Sequence, residues 1–213
     1  MNFDEFLKSV SKIKNIPLPA EVSQFKMVPS FRQKLLKQQT EAIKKAKYAG
    51  VLALFYPNEV GETHFVLILR KTYKGAHSGQ VAFPGGKLED EDTTLEMAAV
   101  RETFEEVGVP MEAMTVLREL TEVYIPPSNF YVYPFVGITH KQPRFTKQED
   151  EVEAIIEVDL EHFLDENSIV EKTVRTSYSV EVEVPAFCLN GHVVWGATAM
   201  MLSEIKDLLK QLL

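Results

Sequence analysis

The chain has 213 residues, of which 45% are hydrophobic and 25% charged, with one cysteine and a formal net charge of −8. That length suits one core-bearing domain plus a helical extension, the acidic balance disfavours a nucleic-acid surface, and the lone Cys188 excludes an internal disulfide or a cysteine-based zinc site, leaving packing as its role. No apolar run approaches the roughly 18 residues a membrane span needs, and MNFDEFLKSV lacks a signal-peptide core, so a cytoplasmic enzyme with no membrane partner is expected.

In chain order, residues 2–13 and about 30–48 read as helices. The second is basic and amphipathic, and charge runs of this kind are solvated faces flanking a core. It either covers a site or packs on a second copy in a homodimer. Residues 1–48 are therefore expected to form an N-terminal helical extension packed on the core, with the main domain over 49–213. Strands follow at 51–56 and 63–70, joined by the turn-like segment Pro57-Asn58-Glu59-Val60-Gly61-Glu62. A loop at 71–78 and a short strand at 80–83 lead to a glycine pair and a helix over 94–107. Apolar strands at 117–124 and 130–139 are split by Ile125-Pro126-Pro127-Ser128-Asn129. A strand at 151–158, a short helix near 160–164, a hairpin-like region at 173–184 and a closing helix at 196–213 complete the chain. Mixed strands around one central helix fit an α+β layered domain.

The helix at 94–107 carries the most information. Each helical residue advances about 100°, so Glu102, Glu105 and Glu106 share one face. Carboxylates so placed repel by a few tenths of a kcal/mol per pair, and an oxygen-only cluster suits a hard cation such as Mg²⁺ or Mn²⁺. Thr93 with Glu96 forms a capping box that starts the helix at Thr94, and Gly108 ends it. Val100, Phe104 and Val107 form an apolar stripe for docking on the core, and the small Ala98 and Ala99 permit close approach.

Read from Gly86, the segment matches Asp92, Arg101, Glu102, Thr103, Glu105, Glu106, Gly108 and Val109 to the Nudix box, so the chain resembles the Nudix hydrolases. Asp92 stands where the box has Glu, and eight residues rather than seven separate it from Arg101. Upstream, Arg70 and His77-Ser78-Gly79-Gln80-Val81-Ala82-Phe83-Pro84-Gly85-Gly86 resemble the coenzyme A pyrophosphatase branch, which commonly shows both departures. The segments from Pro127 to Pro134 and Trp195-Gly196-Ala197-Thr198-Ala199 also look like that branch. Lys71 replaces the usual small residue, Gly75 a second Arg, and Asn129 a common Gly.

The resemblance implies an α/β/α sandwich around a mixed sheet and a Mg²⁺- or Mn²⁺-dependent diphosphatase. It assigns the metal to Glu102, Glu105, Glu106 and the Gly86 carbonyl, with Arg101 orienting a box carboxylate; Glu105 lies within its i, i+4 reach. Asp92 anchors the loop or is a plain loop acid. A later carboxylate completes the site, Glu151 first and Glu153 second, and the general base is one of these or a box glutamate. The catalytic set is thus Glu105, Glu102, Arg101 and Glu151. Arg70, His77, Gln80 and Phe83 are candidates for contacting substrate, although Phe83 and Pro84 also suit a rigid approach to Gly85. The expected substrate is a nucleotide-derived small-molecule diphosphate: coenzyme A or acyl-coenzyme A, or else ADP-ribose or a dinucleotide. A silent nucleotide-binding module is the third reading.

Overall fold

The strand Lys47–Pro57 (β1) organises the molecule. A computed structural model describes residues 1–28, 43–72, 78–175 and 181–213. Along one edge β1 pairs in parallel with Phe130–Ile138 (β7), Lys47 facing Phe130 and Phe55 facing Ile138. Two antiparallel partners share its other edge: Gly85–Lys87 (β4) near the start, and Thr63–Arg70 (β2) near the end. Val81–Ala82 (β3) and Val152–Asp159 (β8) flank β2. Thr115–Glu119 (β5) and Val123–Ile125 (β6) pair with β7.

Period-two alternation sends β1 side chains to opposite faces. Leu52, Leu54 and Tyr56 meet Ala99 and Val107 of the helix Leu95–Val107 (α3). Ala49, Ala53 and Phe55 turn to the larger core, with Phe6 and Val10 of Phe3–Val10 (α1), Phe163 of Leu160–Leu164 (α4), and Leu202 and Ile205 of Gly196–Lys210 (α5). The result is the expected α/β/α sandwich around a mixed sheet. Residues 20–24 form a short helix (α2, Ala20–Gln24) against α5. Ile169–Arg175 (β9), Glu181–Leu189 (β10) and His192–Val194 (β11) make a second, antiparallel sheet.

Several boundaries differ from the sequence reading. The basic helix expected to reach residue 48 gives way to β1 from Lys47, because Tyr48 and Ala49 pair with Tyr131 and Val132; residues 29–42 lie outside the described residues. The strand expected at 117–124 is broken into β5 and β6. At the break, Leu120 donates to the Pro134 carbonyl, and Thr121 turns its amide and hydroxyl to Glu204 of α5. The helix expected over 2–13 is α1 followed by a 3-10 turn at Ile13–Asn15. Among the described residues no helix is long and apolar enough to cross a membrane.

Candidate active site

Helix α3 is started by Thr94, whose hydroxyl accepts from the Met97 amide, and closed by Gly108 at φ 77°. The capping residue is thus one position later than the expected Thr93, which instead donates to the Met97 sulfur. The docking face also differs. Ala99, Thr103, Glu106 and Val107 are buried, whereas Phe104 is 47% exposed. The apolar stripe predicted through Phe104 is wrong because the sheet approaches the alanine side. Thr103 is tolerated there because its hydroxyl donates to the Ala99 carbonyl.

The turn carrying Gly85 and Gly86 lies beneath this face. Gly85 has φ 149°, and a Cβ there would strike the Gly50 carbonyl and Val51. A Cβ on Gly86 would overlap the Glu102 carboxylate. Any side chain at either position would push strand and helix apart.

The three glutamates meet different environments. Glu106 is 1% exposed, accepts from the Gly85 amide at 2.9 Å, and faces Arg70 Nη1 at 3.4 Å. Burial pushes its carboxyl up to about 7, against the pull of the Gly85 amide and Arg70. Glu102 is half-buried against Gly86, and burial raises its pKa while Arg101 opposes the shift. Glu105 is largely open to solvent.

Arg101 ties the helix to the preceding loop. Its Nε and Nη2 donate to both Asp92 oxygens at 3.1 and 2.9 Å, a two-pronged pairing. Nη2 also reaches the Lys87 carbonyl, and Nη1 reaches Glu105 at 3.1 Å and Glu102 at 3.2 Å. Asp92 accepts from the Glu89 amide as well, closing the loop on itself. The Arg101 hydrogen bonds hold the Asp92 carboxyl below its usual range. Opposite, Arg70 Nη2 stands 4.0 Å from Glu151.

This donor set is all oxygen, and Gly86 leaves its backbone open beside Glu102, so the residues fit a hard divalent cation. As the side chains lie, no three acidic, histidine or cysteine groups among the described residues converge into a ready cage. The box carboxylates are held by Arg101, Arg70 and the Gly85 amide.

The sequence comparisons agree with this geometry. Residues 46–176 match the NUDIX domain family. The chain belongs to the Nudix hydrolases. Nudix hydrolase 15, mitochondrial, of Arabidopsis thaliana is 31% identical over 74% of this chain and 57% of its own length. NudL of Cronobacter sakazakii, named as an uncharacterized Nudix hydrolase, is 41% identical over 46% of this chain. The NudL of Salmonella paratyphi B is 36% identical over 66% of this chain and 72% of its own length. The matched stretch spans about half the length of the first two relatives, 57% and 51%. The fold is shared with a Nudix hydrolase from M. smegmatis, RenU, at TM-score 0.53 and 16% identity, covering 79% of this chain and 88% of that one. A MutT protein from Methanosarcina mazei Go1 scores 0.50 at 19% identity, covering 78% of this chain and 98% of that one.

Within this Nudix domain the remaining predicted residues divide. Phe83 is 1% exposed in the main core, so its ring is too deep to touch a ligand, and this correction makes it a support for the Pro84-Gly85 turn. Gln80 is half-buried, and its carbonyl accepts from the Arg70 amide. His77 and Gly75 lie outside the described residues. Glu151 stands just ahead of β8 beside Arg70, and no such contact joins Glu153 to the group among the described residues. Asn129 adopts φ 54°, a left-handed position that explains why glycine is an alternative there; its side chain accepts from the Tyr124 hydroxyl and donates to the Lys45 carbonyl. Thr198 in the Trp195-Gly196-Ala197-Thr198-Ala199 segment donates to the Val81 carbonyl, pinning α5 beside the strand that leads to the glycines.

Two contributors escaped sequence reading. The Gly85 amide is a backbone donor, invisible to side-chain patterns. Arg70 reads as a substrate residue in sequence, and its contact with Glu106 depends on the pairing of β2 with β8. The only sequence signal for it is a cation ending an apolar strand.

Proposed function

We propose that the protein hydrolyses the pyrophosphate bond of a nucleotide-derived diphosphate, with coenzyme A or an acyl-coenzyme A as substrate. The products are adenosine 3′,5′-bisphosphate and (acyl-)4′-phosphopantetheine, water contributing its oxygen to one phosphate and a proton to the other. The observation that carries the chemistry is the fit of the Glu102 carboxylate over Gly86, beside Glu105 and Glu106, on a helix locked by Arg101 and Asp92. Nudix hydrolases generally use divalent metal ions, and Mg²⁺ or Mn²⁺ is proposed here. Glu102, Glu105, Glu106, Glu151 and the Gly86 carbonyl would hold the ion.

When bound, such an ion supplies Lewis acidity and neutralises phosphate charge. The protein's own residues do the positioning. Arg101 fixes the angle of Glu102 and Glu105. Burial leaves Glu106 ready to release its proton near neutral pH. Glu151 and Glu105, both accessible, are the candidates for taking a proton from water. Arg70, Gln80 and His77 are assigned to substrate. A cytoplasmic location suits these substrates.

The coenzyme A assignment is supported by the run from Ser78 to Gly86, which matches that branch. Gly75 in place of a second Arg favours a competing reading, in which ADP-ribose or a dinucleotide is the substrate. A panel of coenzyme A, acetyl-coenzyme A, ADP-ribose, NADH and nucleoside triphosphates, each with Mg²⁺ and with Mn²⁺, separates them. Turnover concentrated on coenzyme A species is expected, and it should fall at least 100-fold in Glu105→Gln or Glu106→Gln. Preference for ADP-ribose would replace the first reading with the second. Tight binding without turnover, unchanged by either substitution, would overturn both.

A further inference from the structure

We propose that Arg70 is a built-in counter-cation: its guanidinium neutralises Glu106 and Glu151 while no metal is bound, and shifts to a substrate phosphate once a divalent ion takes that place. This rests on the metal-dependent reading above and goes beyond it.

Among the described residues Arg70 is the cation recorded against both carboxylates, and they come from different elements. Glu106 belongs to α3, and Glu151 precedes β8. Without a positive neighbour, a glutamate as buried as Glu106 would be costly to ionise. The backbone on either side is fixed. The Arg70 amide donates to the Gln80 carbonyl, and the Lys71 amide donates to the Glu151 carbonyl. The β2–β8 pairing shifts register between Leu69 and Arg70, which places Arg70 opposite Val152. The strand end therefore stays put while the long side chain, 25% exposed, reaches across.

The contrast with Arg101 identifies which arginine moves. Arg101 spends its fork on Asp92 and the Lys87 carbonyl, with short bonds to the loop. Arg70 makes long single contacts of 3.4 and 4.0 Å, both to groups proposed as metal ligands. A divalent ion shared by Glu106 and Glu151 would place like charge against the guanidinium and expel it. A displaced guanidinium has a planar donor fork suited to a phosphate arriving at the same spot. The protein thereby offers each negative partner a positive one in turn.

The test uses the metal-stripped full chain and calorimetry rather than turnover. Mn²⁺ is titrated without substrate into wild type, Arg70→Gln and Arg70→Lys, with thermal melting confirming that each is folded. Adenosine 5′-monophosphate is then titrated into the Mn²⁺-saturated proteins as a phosphate probe. Arg70→Gln should bind Mn²⁺ about three- to tenfold more tightly than wild type and the phosphate probe about tenfold more weakly. Arg70→Lys keeps a cation and should restore wild-type Mn²⁺ affinity. Unchanged or weaker Mn²⁺ binding in Arg70→Gln would overturn the proposal, and so would unchanged binding of the phosphate probe. A wild type that binds no Mn²⁺ would sink the metal-dependent reading itself, a result distinct from either.

Discussion

Three glutamates within five positions have different characters because each meets the fold differently. Glu106 is sealed under the helix, Glu102 rests on a glycine, and Glu105 looks outward. In the metal-stripped protein the raised carboxyl of Glu106 sets a sign for stability. Its folded pKa of about 7 lies above the ordinary 4.5, so the folded state holds the proton more tightly. The stability it contributes is complete below about 4.5 and is lost as pH rises through about 7, by at most about 3 kcal/mol. Thermal melts at pH 5 and pH 8 should therefore differ less in Glu106→Gln than in wild type; equal differences would contradict the burial argument. Arg101 allows a second prediction. Lysine cannot reproduce a two-pronged pairing with Asp92 while also reaching Lys87 and Glu105. Arg101→Lys should lower turnover by about tenfold or more and speed amide exchange across residues 87–93, measured by mass spectrometry. Loss of turnover with unchanged exchange would mean that the arginine does not set the loop.

At the scale of elements, much of α3 was legible. Its extent, its carboxylate face and its glycine stop follow from composition and spacing. Its cap and its buried face did not, because Thr93 and Thr94 are equivalent to any rule based on residue type, and Phe104 outweighs alanine on any hydrophobicity count. Tertiary approach decided both: the sheet comes close enough that only Ala98 and Ala99 fit beneath it. Thr94→Ala should cost about 1 kcal/mol in a urea melt, and Thr93→Ala clearly less. Phe104→Ser should change stability by about 0.5 kcal/mol or less, whereas Ala99→Leu should cost about 1–3 kcal/mol by overpacking. The reverse order would restore the stripe through Phe104. Strands β1, β2, β7 and β8 were found from apolar runs, since burial on both faces leaves little else to read. The three-residue β4 was missed because two of its residues are glycines, which read as loop. Its strand character comes from pairing with Ala49–Val51, a partner distant in sequence.

On the scale of the whole molecule, α5 ties the two ends of the chain to the middle. Glu204 is fully buried and accepts from Gln24 Nε2 at 2.9 Å and from the Thr121 hydroxyl at 2.7 Å. Ser203 donates to the Ser23 carbonyl, Ser23 pairs with Asp207, and Lys206 donates to the Asp165 carbonyl. Glu204→Ala should cost roughly 2–3 kcal/mol, because it leaves buried donors without an acceptor. It should also expose residues 1–28 to limited proteolysis before the rest of the chain. Cleavage elsewhere first would argue against a shared anchor.

The parallel pairing of β1 with β7 has a consequence for biosynthesis. The carboxylate-bearing helix is made between those strands, and its platform lacks a neighbour until residues 130–138 leave the ribosome. A nascent chain halted before Phe130 carries the whole chemical signature yet lacks the surface that aims it, so slow translation through this interval would prolong a sticky, inactive species.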